Sequence, residues 1–276
     1  MTVGICGLGL IGASMAKAYK EANTKVLGFD KDEATQGYAL LAGMIDGELT
    51  PQTISSCDLI LIALYPRQAI QYLEQIAPLV SAQTVVMDLC GTKKQICSVG
   101  FALAEQYGFT FVGGHPMAGT QFSGIKYAKS TLFRNAPMIL TPPIFDDIAF
   151  LDHVRQLLAP AGFGKFSITS AEDHDRVIAF TSQLAHVVSN AYVKSPSAKE
   201  HKGFSAGSYK DMTRVAWLNE QMWTELFLEN REPLLFELDT IIHELAEYRS
   251  AIADADGERL TKLLRDGRIA KEQIDG

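Results

Sequence analysis

Three groups of residues have types and spacings that could do chemistry. The first is Gly7-x-Gly9-x-x-Gly12, which closes the apolar run Thr2–Cys6 and opens a helical pattern, with Asp30 standing 18 residues beyond Gly12. Strand, glycines, helix and a later acid are what a dinucleotide needs. Gly7 allows a tight turn, Gly9 lets the backbone approach a pyrophosphate, and Gly12 lets helix pack on strand. The amides around Leu10 and Ile11 then face the diphosphate from a helix N-terminus, and Asp30 takes a ribose hydroxyl. Because Asp30 repels a 2′-phosphate, NAD is expected rather than NADP, although Lys31 softens that preference.

The second group is Gly113-Gly-His115-Pro-Met-Ala-Gly-Thr120. A histidine in a loop fixed by Gly and Pro, just beyond a strand ending at 113, is placed to act as a general base; a surface loop histidine is the plainer reading. The third group lies in the second half. His174, Ser182 and His186 fall within an arc of about 120° on one helix at 100° per residue. Arg214 sits in an apolar, aromatic neighbourhood, as a clamp for a substrate carboxylate would, although an ion pair with Asp211 is the commoner arrangement. No carboxylate or third histidine stands at ligand spacing from the two helical histidines, so no metal is expected.

The elements that must position these residues follow from periodicity. Strands are expected at 2–6, 24–29, 58–63, 84–88, 110–113, 137–141 and 164–168, and helices at 10–22, 33–42, 67–79, 93–107 and 147–159. This alternation gives an α/β, doubly wound (Rossmann) domain over 1–168, with ligands outside the C-terminal strand ends. Beyond it, 169–276 reads as an all-α domain. Leu234, Leu238, Ile241, Ile242, Leu245 and Tyr248 form a helical apolar stripe that Pro233 starts or kinks, and Asp256-Gly257 separates it from a last helix near 258–270. Part of that stripe is expected to be buried against a second subunit.

Of the 276 residues, 47% are hydrophobic and 21% charged, an ordinary globular balance, and the formal net charge of −7 disfavours nucleic acid as a partner. No apolar run reaches the length of a membrane span, and the first residues go straight into a strand pattern without a signal-like region. A soluble, cytoplasmic protein is expected. Cys6, Cys57, Cys90 and Cys97 show no zinc spacing, and Cys6 and Cys57 read as small core residues.

The chain resembles the prephenate dehydrogenases, in their short bacterial form, over essentially its whole length. The motifs are the N-terminal glycines, Asp88-x-Cys-Gly-x-Lys93, Gly114-His-Pro-Met-Ala-Gly-Thr120, His174-Asp175, Ser182-x-x-x-His186, and Gly207 through Arg214 to Trp223. The resemblance implies an NAD-dependent oxidative decarboxylation of prephenate to 4-hydroxyphenylpyruvate in tyrosine biosynthesis, by a homodimer paired through its helical domain. It implies His115 as the base that takes the substrate's hydroxyl proton. It places His174, Ser182, His186, Arg214, Thr92 and Gly207 around the substrate, with Trp223 in the same region. Three positions depart from the family pattern. Gly91 stands where many members carry a serine that steadies the catalytic histidine, a role that Thr92 or a water could fill. Gln121 and Gln183 stand where an acid and a histidine are common.

Rival readings differ in what they need. Arogenate dehydrogenase would want a partner for the substrate ammonium, and no acid lies between 177 and 190. A 3-hydroxyacid dehydrogenase would want a lysine at the start of the main second-domain helix, where Glu172-Asp-His174-Asp-Arg-Val has none. A non-catalytic NAD(H)-binding protein would not need His115, His174 and Arg214 together.

Overall fold

The computed structural model describes residues 1–120 and 122–275, so Gln121 lies outside the described residues. By compactness the chain forms one unit over Met1–Asn230 and a smaller one from Arg231 onward.

In the first unit eight strands, β1 (Thr2–Cys6), β2 (Lys25–Phe29), β3 (Gly47–Glu48), β4 (Leu59–Ile62), β5 (Val85–Asp88), β6 (Thr110–Pro116), β7 (Pro137–Thr141) and β8 (Lys165–Ile168), form one sheet. Their order is β3-β2-β1-β4-β5-β6-β7-β8. β1 pairs in parallel with both β2 and β4, so chain order reverses beside it, the switch point where ligands of such sheets sit. Helices α1 (Leu10–Glu21), α2 (Glu33–Leu41), α3 (Pro66–Ile76), α4 (Lys94–Tyr107) and α5 (Ile148–Leu157) connect the strands.

Period-2 alternation divides the core between the two faces of the sheet. Leu59 and Leu61 join the cluster of Ile5, Met15 and Tyr19, whereas Ile60 and Ile62 join that of Leu73, Val86 and Phe111. These strands are buried on both faces, as a sheet covered by crossover helices must be.

The expected strands and helices are present with small differences at their ends. Two features depart from expectation. β3, only two residues long, carries no periodicity to read. β6 does not stop at 113 but runs on through Pro116, because β7 pairs antiparallel to it with His115 opposite Ile139. His115 is therefore a strand residue and not a loop residue. The glycines before it serve close packing: a Cβ at Gly113 would lie 2.5 Å from Cys97 Sγ, and one at Gly114 2.8 Å from the Asp88 carbonyl oxygen.

After β8 the unit continues as α6 (Ala171–Ile178), a π-helical turn over Ala179–Leu184, then α7 (Ala185–Tyr192), α8 (Gly207–Thr213) and α9 (Glu220–Glu229). Ser170 caps α6 by accepting from Asp173 N (3.0 Å), and Asn219 caps α9 by accepting from Met222 N (2.9 Å). The smaller unit is a helical pair, α10 (Arg231–Ala253) and α11 (Gly257–Asp275). Pro233 lies in the first turn of α10, where its missing N–H costs nothing. No described helix is long and apolar enough to cross a membrane.

Candidate active site

The glycine turn has the geometry its residues imply. Gly7 adopts φ +86°, and a Cβ there would lie 2.4 Å from the Ala63 carbonyl oxygen. A Cβ at Gly12 would lie 1.8 Å from the Gly7 carbonyl oxygen, so helix and turn meet backbone to backbone. At Gly9 a Cβ would meet nothing within 4 Å. The space beside Gly9 is open, no side chain caps α1, and its first turn contains no acid. The N-terminal amides of Leu10 and Ile11 thus lie at an uncapped, electropositive helix end suited to a diphosphate. At the end of β2 the Asp30 carboxylate accepts from Leu8 N (2.7 Å) and Asp32 N (3.0 Å), which fixes it beside the turn. These residues fit a dinucleotide.

Beyond the neighbouring strand ends lies a polar network around His115. His115 Nδ1 and His174 Nε2 are 2.9 Å apart, and His174 Nδ1 is 2.7 Å from Asp175 Oδ1. The same carboxylate accepts the backbone N–H groups of Lys93 (2.7 Å) and Lys94 (2.9 Å) at the start of α4. The Lys93 ammonium, fully buried, pairs with Asp88 and donates to the Gly114 carbonyl (2.7 Å), one residue before His115. Burial holds the His115 imidazole well below the ordinary histidine value of 6.5, and His174 and Lys93 push it further down. Burial also lowers His174, against the pull of Asp175. Both rings are neutral at neutral pH.

A second cluster forms across the π turn. His186 Nδ1 donates to the Ser182 carbonyl (2.9 Å), and its ring stacks on Trp223 with centroids 3.8 Å apart. Burial lowers the His186 pKa and the nearby Arg214 charge adds to that. Arg214 is exposed and has no ion pair with Asp211 or any other described acid. Its guanidinium is available to a carboxylate.

The structure joins His115 to His174 directly. It links that pair to the second cluster through Asn230, whose Nδ2 donates to the Asp175 carbonyl (2.7 Å) and to Gln183 Oε1 (2.8 Å). The 120° arc expected for His174, Ser182 and His186 does not describe them, because the π turn at 179–184 breaks the 3.6-residue phase. The Thr92 hydroxyl donates to Glu229 Oε2 (2.7 Å), and the group within hydrogen-bond distance of His115 Nδ1 is His174. Gly207 opens α8, and a Cβ there would meet nothing within 4 Å. At Gly91 a Cβ would lie 3.2 Å from Leu226 Cδ2, so the position is packed by a leucine. Sequence reasoning passed over Asp88, Asp175, Glu229 and Asn230 as individual site residues. Asp88 and Asp175 lay within quoted motifs; Glu229 and Asn230 had no signal of their own.

A switch-point dinucleotide turn, with hydrogen-bonded His115, His174 and Asp175 beyond the neighbouring strand ends, suits a nucleotide-dependent dehydrogenase. The comparisons give the family. A family model described as "Prephenate dehydrogenase, nucleotide-binding domain" matches residues 15–165, and one described as "Prephenate dehydrogenase, dimerization domain" matches 170–266. The chain belongs to the prephenate dehydrogenase family. It is 30% identical to a prephenate dehydrogenase of Bacillus subtilis, over 100% of this chain and 76% of that protein. It is also 30% identical to a cyclohexadienyl dehydrogenase of Zymomonas mobilis, over 98% of this chain and 94% of that protein. Among solved structures it resembles prephenate dehydrogenase from Aquifex aeolicus in complex with hydroxyphenyl propionate and NAD+ (TM-score 0.83, 27% identity, 99% of this chain and 98% of that one). Synechocystis arogenate dehydrogenase is similar too (TM-score 0.80, 26% identity, 99% and 100%).

Proposed function

We propose that this enzyme uses NAD to convert prephenate to 4-hydroxyphenylpyruvate by oxidative decarboxylation, with His115 as general base, as a cytoplasmic step of tyrosine biosynthesis. The observation that carries this reading is the contact of His115 Nδ1 with His174, with no described partner on Nε2, in a ring whose pKa burial holds down.

The residues of the chain account for the parts of the reaction. Gly7, Gly9, Gly12 and the amides of Leu10 and Ile11 receive a diphosphate, and Asp30 receives a ribose hydroxyl. When bound, NAD supplies the hydride acceptor. His115 Nε2 takes the proton of the ring hydroxyl as hydride departs from the same carbon. Loss of CO2 from the opposite ring carbon completes an aromatic phenol, which makes the step effectively irreversible. Arg214 supplies a fixed cation for a substrate carboxylate, and His186 with Ser182 and Trp223 forms a wall beside it. Most of the acceleration then comes from positioning. Residues 169–276 would serve substrate binding and dimerisation, with 1–168 binding the nucleotide.

Arogenate is the second reading, favoured by the likeness to the Synechocystis enzyme. The test is NADH formation, followed by absorbance, with prephenate and arogenate side by side and with NAD and NADP. Prephenate turnover with NAD, reduced by a factor of about 10² or more in His115→Asn, is the expected result. Turnover of arogenate alone would keep the mechanism and overturn the substrate. Silence on both would overturn the reaction.

A further inference from the structure

We propose that Asp175 and His174 form a relay that locks His115 in its Nδ1-protonated tautomer, so that His174 is a positioning residue and not a substrate contact. The proposal rests on the reading of His115 as the base, and it follows from counting protons along three consecutive hydrogen bonds. A carboxylate has none to give. Asp175 Oδ1 already accepts Lys93 N–H at 2.7 Å and Oδ2 accepts Lys94 N–H at 2.9 Å. The 2.7 Å contact to His174 Nδ1 therefore requires the histidine to donate. A neutral His174 with its proton on Nδ1 presents a bare Nε2. At 2.9 Å, His115 Nδ1 must donate to it. The only arrangement left for a neutral His115 is a lone pair on Nε2, the nitrogen that must receive the substrate proton.

No other described group competes for this geometry. His174 is fully buried on its side chain, and the Lys93 ammonium is held by Asp88 and the Gly114 carbonyl. No hydroxyl stands at Gly91, and the Thr92 hydroxyl is committed to Glu229. Once His115 is protonated, its Nδ1–H still points along the chain toward the Asp175 carboxylate, which favours the imidazolium formed during the reaction. The carboxylate is itself anchored by the N-terminal amides of α4, so the relay is fixed at its far end by a helix.

Two measurements test the relay. Nitrogen-15 NMR of histidine-labelled protein reads the tautomer of each ring, with His115 assigned by its loss in His115→Asn. The expected spectrum at neutral pH shows His115 protonated on Nδ1 and bare on Nε2; the opposite tautomer would overturn the relay. This readout needs no turnover, so it separates failure of the relay from failure of the proposed reaction. In His174→Leu the Nδ1 lock is lost, and kcat is expected to fall roughly ten- to a hundredfold with KM for prephenate unchanged. A raised KM with kcat preserved would make His174 a substrate contact and overturn the proposal. If His174→Leu does not fold, the wild-type tautomer still decides.

Discussion

At the scale of residues, the acids do more than their positions announce. Asp30 holds two backbone amides, so it fixes the glycine turn besides the ribose contact proposed for it. Asp30→Ser removes both charge-assisted bonds, each worth about 1.5–3 kcal/mol. NAD is then expected to bind about tenfold or more weakly, while NADP, relieved of repulsion, loses less; titration of both nucleotides checks this. Equal weakening of the two would remove Asp30 as the source of discrimination. The glycines and Asp30 were legible because each answers a local demand at a set spacing. Asp175 was not. Side chains at i and i+1 of a helix do not ordinarily face one another, and the carboxylate is directed by the amides of Lys93 and Lys94, 82 and 81 residues away. Nothing in the spacing of His174-Asp175 reveals that partner.

At the scale of elements, periodicity gave the sheet and its helices, since buried strands and amphipathic helices carry strong signals. It missed what depends on pairing across the fold. β6 reaches His115 because β7 runs back along it, and the π turn at 179–184 is a shift of backbone register with no composition of its own. What holds that turn to the site is Asn230, at the end of α9, a residue without any motif. Asn230→Ala would leave Gln183 Oε1 buried without a donor, while the Asp175 carbonyl keeps the Ala179 N–H. The expected loss is about 1–3 kcal/mol for the group left unsatisfied, read as a lower midpoint in urea at unchanged m-value. Because His174 and His186 flank the turn, kcat should fall as well; a variant of native stability and activity would show that the bridge is incidental.

At the scale of the whole molecule, the histidines make stability depend on pH. Burial depresses His115, His174 and His186 below 6.5. The unfolded chain therefore binds protons that the folded chain does not, and stability must rise with pH through that window. It is fully present above about 6.5 and declines as pH falls from there toward the folded values, which urea melts at a series of pH values would show. The acid limb of kcat/KM should likewise lie below the ordinary histidine range, since the proposed base, His115, must be bare at Nε2 to act. Association is the other molecular property the chain implies. On α10, Leu235, Ile242, Leu245 and Ile252 are 48–64% exposed and fall within an arc of about 100° at 100° per residue, an apolar face too continuous to be left to water. The matching family model carries the description of a dimerization domain over 170–266. A face of this kind is what a second copy would cover. Sedimentation should therefore find a dimer for the wild type. The double substitution Ile242→Glu with Leu245→Glu should shift it to monomer, because two carboxylates would be desolvated at the seam without partners. A wild type that sediments as a monomer at micromolar concentration, or a double variant that remains dimeric, would place the pairing surface elsewhere.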